Sequence, residues 1–224
     1  MTAITLNQTV GGALSLSDSL KQGVVEMGMS LDPAAIDKLL HYVALLDKWN
    51  KVYNLTAVRE PHRMIGLHIL DSLSVAPLVS NRKTMIDVGT GAGLPGMVLA
   101  IANPALTLTL LDTIAKKTAF VRQAIGELGL VNAEVVTERV ENYRPAASFD
   151  GVVSRAFAEL KDFVAGAGHL CKSDGRLFAM KGVYPHDEIA RLPAGFEVEK
   201  VIPVTVPVVE GQRHLVVIRK TEKI

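Results

Sequence analysis

At 224 residues the chain is long enough for one sizeable core plus an extension, and 49% hydrophobic against 21% charged residues describes a globular protein, not a disordered one. Its one cysteine, Cys171, excludes an intramolecular disulfide and a cysteine-built zinc site, and its apolar neighbours read it as a small buried hydrophobe. A net charge of +1 gives no bulk electrostatic case for nucleic acid, so any role on RNA requires a local basic surface.

Residues 1–18 are rich in Ser, Thr and Gly and read as a frayed segment, without the basic start and long apolar run of a secretion signal. No apolar stretch is long enough to span a bilayer, which makes the cytoplasm the expected location. A helical region is expected over 19–80. Asp32 supplies a helix cap and Pro33 suits the first helical position. Behind them Ile36, Leu39, Leu40, Val43 and Leu46 recur at three-to-four spacing, predicting one apolar face on a helix that reaches about Trp49. Asn54-Leu55-Thr56 reads as a break, and a second helical stretch from Glu60 carries Met64, Leu67, Ile69, Leu70, Leu73, Val75 and Leu78.

The pattern changes at Thr84, and 81–224 reads as a second, ligand-binding domain. Short apolar runs at 85–88, 107–111, 134–136, 151–154, 176–180, 198–204 and 215–219 predict strands. Helical segments fall between them at 94–102, 114–128, 158–170 and 186–192. Such alternation predicts an α/β fold, a mainly parallel sheet covered by helices on both faces. Only ten residues, 205–214, separate the last two strands, too few for a packed crossover helix, so these strands should pair antiparallel. Seven strands ending this way suit a Rossmann-like class I methyltransferase sheet better than a six-stranded dinucleotide-binding one.

Asp87, Gly89, Gly91 and Gly93 follow the first strand directly, and Leu94-Pro95-Gly96 opens a helix. Glycines belong where a backbone turns sharply and approaches a ligand closely. Gly91, Gly93 and Gly96 also match the dinucleotide fingerprint, which keeps a nicotinamide enzyme open. Against it, Asp87 suits the positively charged amino-acid end of S-adenosylmethionine, where a dinucleotide would place phosphates. Asp112 ends the second strand and can accept ribose hydroxyls of either cofactor, or cap the helix that follows. Val140 and Glu141 follow the third strand, where an adenine ring would lie. Arg155 ends the fourth, at the carboxyl edge where open α/β sheets bind ligands.

Several stretches match one family: 49–56 (WNKVYNLT), 68–73 (HILDSL), 87–96, Leu110-Leu111-Asp112, Ser154-Arg155-Ala156, 179–182 (AMKG) and Arg213-His214-Leu215. In these the chain resembles the RsmG family of bacterial small-subunit rRNA guanine-N7 methyltransferases, also called glucose-inhibited division protein B. The resemblance runs from about residue 36 to the end of the sequence. It implies transfer of a methyl group from S-adenosylmethionine to N7 of the guanosine at position 527 in the 530 loop of 16S rRNA. It places cofactor contacts at Gly89, Leu94, Val140, Glu141 and Arg155, and makes 16S rRNA or the 30S subunit the partner.

Guanine N7 carries a lone pair and no proton, so no general base is required and no catalytic acid–base pair is expected. Phosphate neutralisation falls to Arg139, Lys181 and Arg213, then Lys116 and Lys117, with Lys48, Lys51, Arg59 and Arg63 as further candidates. Tyr53 and Phe157 are candidates for stacking on a base. His68 and Asp71 lie three apart on one helical face, but without a third ligand they read as structural residues fixing the N-terminal helices against the cofactor lobe, so no metal is expected. The expected state is a monomer.

Overall fold

A computed structural model of the chain describes residues 14–155, 157 and 159–221. Most of the segment expected to fray lies outside these residues, as do Ala156 and Ala158. Within them, the Ser15 hydroxyl accepts from the Asp18 amide and starts α1 (Leu16–Glu26). Asp32 caps α2 (Pro33–Tyr53) by accepting from the Ala34 amide at 2.8 Å. The spacing read from sequence is the buried face of this helix: Ile36, Leu39, Val43 and Leu46, joined by Tyr42 and Asn50. Asn54, at φ 51°, ends it in the left-handed conformation that asparagine tolerates.

The second helical stretch is not a uniform α-helix. It runs as α3 (Pro61–Met64), a π-helical turn over Ile65–Leu70, α4 (Asp71–Leu73) and, after a short break, α5 (Ala76–Val79). A π turn adds one residue and rotates the next part of the helix, a device frequent at functional sites. Here it turns His68, Asp71 and Ser72 inward together with Ile69 and Leu70.

Then come β1 (Thr84–Val88), α6 (Gly96–Ala102), β2 (Thr107–Asp112), α7 (Ala115–Leu128), β3 (Ala133–Thr137), β4 (Phe149–Arg155), α8 (Leu160–Ala167), β5 (Cys171–Lys181), α9 (His186–Ala190), β6 (Phe196–Pro203) and β7 (His214–Lys220). They form one seven-stranded sheet in the order β3-β2-β1-β4-β5-β7-β6. The first five strands are parallel, and β7 runs antiparallel to both β5 and β6. This is the expected Rossmann-like class I methyltransferase sheet. The strand order reverses between β1 and β4, which places the ligand crevice at their carboxyl ends.

Alternation along the strands feeds two cores. Met85, Leu108, Leu110, Val153 and Phe178 face α2, α6 and α7, while Ile86, Leu111, Val152 and Leu177 face α8. Trp49 and Tyr42 of α2 pack on Phe120 of α7, with ring centroids 5.6 and 6.1 Å apart. The N-terminal helices therefore share the first core with the sheet. No helix among the described residues is long and apolar enough to cross a membrane.

Candidate active site

The loop after β1 is held by four anchors. Gly89, Gly91 and Gly93 take φ values of 69°, 61° and 94°, and the Gly89 and Thr90 amides donate to the Leu111 carbonyl of β2 at 2.9 and 3.0 Å. From beneath, Asp87 Oδ2 accepts from the Thr90 hydroxyl at 2.6 Å and from the Gly96 amide at 2.8 Å. A Cβ on Gly96 would stand 2.9 Å from that same oxygen, so only glycine brings the first turn of α6 close enough. From above, Asp112 Oδ2 accepts from the Gly91 amide at 2.8 Å, and its Oδ1 accepts from the Ile114 amide at 2.9 Å. Finally, the Tyr42 hydroxyl of α2 donates to the Ala92 carbonyl at 2.5 Å.

Asp87 is fully buried, and burial pushes its carboxyl up to about 6 despite the Thr90 and Gly96 hydrogen bonds and the charge of Arg155. Its second oxygen, Oδ1, has no hydrogen-bond partner. A buried, unpartnered acceptor next to a ligand loop suits a positively charged group reached directly or through water.

Beside this loop lies a cleft of about 280 Å³ that brings together Gly89, Asp112, Val140 and Glu141 with Arg139, Lys117 and Phe157. Nothing lies within 4 Å of the point where a Cβ on Gly89 would stand, so the glycine leaves open a cradle that any side chain would fill. Each Asp112 oxygen accepts one amide and keeps acceptor capacity for a hydroxyl. Polar acceptors at one end and the apolar Val140 at the other suit a nucleoside such as that of S-adenosylmethionine. Arg139 and Lys117, expected to face RNA, line this cleft, whereas Lys116 is exposed outside it. Four of the expected cofactor contacts do not line it, Arg155 among them, which lines a second cavity instead. Asp87 lies beneath the loop, the Gly91 amide is spent on Asp112, and Leu94 is buried in the core with its amide donating to Thr90.

A second cavity of about 330 Å³ lies on the other side of the end of β4 and collects Arg155, Lys181, Arg213 and His214 around Asp71. Arg155 Nη1 donates to Asp71 Oδ2 at 3.3 Å and to the Leu67 carbonyl of the π turn at 3.1 Å. Arg213 Nε donates to Asp71 Oδ1 at 3.1 Å. Lys181 is held between Glu188, at 2.8 Å, and the Phe157 carbonyl, at 3.2 Å, so it braces the segment after β4 as well as facing the cavity.

His68 and Asp71 both make structural contacts, but with different partners. The π turn separates them: Asp71 faces the arginines, while His68 Nε2 meets the Thr56 hydroxyl at 2.9 Å and its Nδ1 meets the Leu67 carbonyl at 3.0 Å. Burial, then the charge of Arg155, pushes the imidazole down to about 4. The buried Asn50 completes this corner, donating to the Val58 carbonyl and accepting from the Thr56 amide. Arg59 is tied to Asn54 at 2.6 Å and Lys51 to Asp47 at 2.7 Å, which explains the first matching stretch as a structural knot. Sequence reasoning missed Tyr42, which lies among the apolar positions of α2, and the exposed Tyr184, whose ring centroid lies 4.2 Å from that of His186 and 5.6 Å from that of His214.

The family model for rRNA small subunit methyltransferase G (GidB) matches residues 35–216. The chain belongs to that family. The ribosomal RNA small subunit methyltransferase G of Aromatoleum aromaticum is 52% identical over 206 residues, covering 90% of this chain and 98% of its own. The protein of the same name from Pseudomonas aeruginosa is 50% identical, covering 92% and 96%. Among solved structures, a SAM dependent methyltransferase from Aquifex aeolicus is similar with a TM-score of 0.56 at 20% identity, over 76% of this chain and 96% of that one. The mitomycin 7-O-methyltransferase MmcR gives 0.61 at 19% identity, over 92% and 66%. These structures share the fold. The GidB family relatives alone bear on the reaction.

Proposed function

We propose that this chain transfers a methyl group from S-adenosylmethionine to N7 of guanosine 527 in 16S rRNA, acting as a monomer in the cytoplasm on the 30S subunit or its rRNA. The observation that carries the reading is the pair of cavities flanking the end of β4, one suited to a nucleoside and the other lined by Arg155, Lys181 and Arg213. Membership of the GidB family supports the rRNA substrate. When bound, the cofactor supplies an electrophilic methyl group. The chain's own contribution is alignment: Asp112 and Gly89 hold the nucleoside end, and Asp87 under the loop favours a positive charge above it. The guanine N7 lone pair would form the new bond to the methyl carbon as the carbon–sulfur bond breaks and its electrons return to sulfur, and no proton would leave, so the site needs no general base. Arg155 and Arg213 neutralise approaching phosphate. They also restrict water in a site where orientation supplies most of the rate.

The test is methylation mapping. Purified protein, tritiated S-adenosylmethionine and 30S subunits from a strain lacking the modification should place label at N7 of guanosine 527. Label at another nucleotide would overturn the site, and label on small molecules only would overturn the substrate class.

A further inference from the structure

We infer that Asp71 is the residue that selects guanine, reading the N1–H and N2 amino donors of the base in the second cavity. This assignment rests on the proposed function and deepens it. Asp71 stands at the start of α4, just past the π turn, and is the one carboxylate among the described residues lining that cavity. Its side chain is 8% exposed, and Arg155 and Arg213 each engage a different oxygen, at 3.3 and 3.1 Å. Two guanidiniums at these distances offset the desolvation of a carboxylate that is almost out of contact with solvent. Each oxygen uses one acceptor direction on an arginine and retains another.

A carboxylate held this way discriminates by donor pattern. Guanine offers two adjacent donors on its Watson–Crick edge, matching two carboxylate oxygens. Adenine and cytosine put an unprotonated ring nitrogen there, which would face the oxygens' lone pairs, and uracil offers a single donor between two carbonyls. Enzymes that modify a base read that edge in a pocket after taking the base out of its stack. With the Watson–Crick edge on Asp71, O6 falls within the cationic part of the cavity, where Arg213 and Lys181 stand. N7 lies on the opposite side of the ring, leaving it free for the neighbouring cleft across Arg155. Methylation makes the ring cationic, so the same carboxylate also stabilises the developing charge.

Inosine separates this role from a merely structural one, because it lacks only the N2 amino group and keeps N7. Single-turnover methylation would be compared on reconstituted 30S particles carrying guanosine or inosine at the target. The wild-type protein should lose about 10- to 100-fold in kcat/KM on inosine, the range for a charged hydrogen bond left unmade. Asp71→Asn should slow the guanosine reaction while bringing the two substrates within about 3-fold of each other, because its amide opposes the donors of both. Affinity for S-adenosylhomocysteine, read by calorimetry, should be unchanged in the variant. Equal wild-type rates on guanosine and inosine would overturn the assignment without any variant, as would a variant that slows both substrates equally. Absence of N7 methylation on the guanosine particle would instead sink the proposed function, and this assignment with it.

Discussion

Tyr42 on α2 donates its hydroxyl to the carbonyl of Ala92 in the glycine loop, at 2.5 Å and out of contact with solvent. Burial raises the phenol far above its usual range. Through this bond the N-terminal helices hold one carbonyl of the glycine loop, from a helix that does not line the cleft.

Removing that hydroxyl leaves the buried Ala92 carbonyl unpartnered. Tyr42→Phe should cost about 1–3 kcal/mol in urea unfolding. Affinity for S-adenosylhomocysteine should fall about 3- to 10-fold, although Tyr42 touches no ligand; a stability loss with unchanged affinity would show that Gly89 and Asp112 fix the loop by themselves.

Two glycines of the loop should fail in different ways. Gly96→Ala forces a Cβ to 2.9 Å from Asp87 Oδ2 and from Leu110 Cδ2, and should destabilise by about 1–3 kcal/mol. Gly89→Ala meets no protein atom and carries only the strain of φ 69°, about 1–2 kcal/mol. Its methyl group fills the cradle, so calorimetry should show the larger loss of S-adenosylhomocysteine affinity for Gly89→Ala and the larger loss of cooperativity and midpoint for Gly96→Ala.

Stability should carry two pH dependences of opposite sign. His68 falls from its ordinary 6.5 to about 4, so between these values the unfolded chain binds the extra proton and stability is lost as pH drops. Asp87 rises from 3.8 to about 6, so across that window the folded chain holds the proton and stability is lost as pH rises. Each contribution amounts to no more than about 3.5 kcal/mol, and from pH 4 to 6 they largely cancel. Urea titrations expose them as differences: wild type minus His68→Gln should shrink on acidification from pH 6.5 to 4, and wild type minus Asp87→Asn should shrink on raising pH from 4 to 6. Parallel profiles for all three proteins would contradict both.

Lys181 is spent on Glu188 and the Phe157 carbonyl, and only 12% of its side chain is exposed. Lys181→Met should therefore lower kcat about 10-fold with the KM for RNA within about 2-fold, the signature of lost positioning. A raised KM with a shallower dependence on salt would mark a phosphate contact instead.

The sequence was most legible where periodicity is local. The three-to-four spacing from Ile36 to Leu46 reflects one face of one helix, and alternation in β1 and β2 reflects two faces of one sheet. The glycine loop was legible as a tight turn because positive φ and close approach leave a residue-type trace. The π turn left none, since its extra residue changes the register of an apolar run without changing its composition. For that reason His68 and Asp71 read as one helical face but point to different partners. The bonds from Arg155 and Arg213 to Asp71 span 84 and 142 residues, separations at which no spacing rule operates. The matching stretches gathered these residues into one family without saying that they meet.

The place of β7 in the sheet has a consequence for how the chain assembles during synthesis. β6 is not paired with β5; it joins the sheet through β7, whose Leu215, Val216, Val217 and Ile218 are all buried. Because chains emerge from the ribosome N-terminus first, β6 appears before the strand that must slot between it and β5. Until the stretch from His214 onward emerges, β5 keeps a long unpaired edge able to pair with another nascent chain. Closure of the sheet, and with it delivery of Arg213 to Asp71, is thus a late event in the life of each new copy.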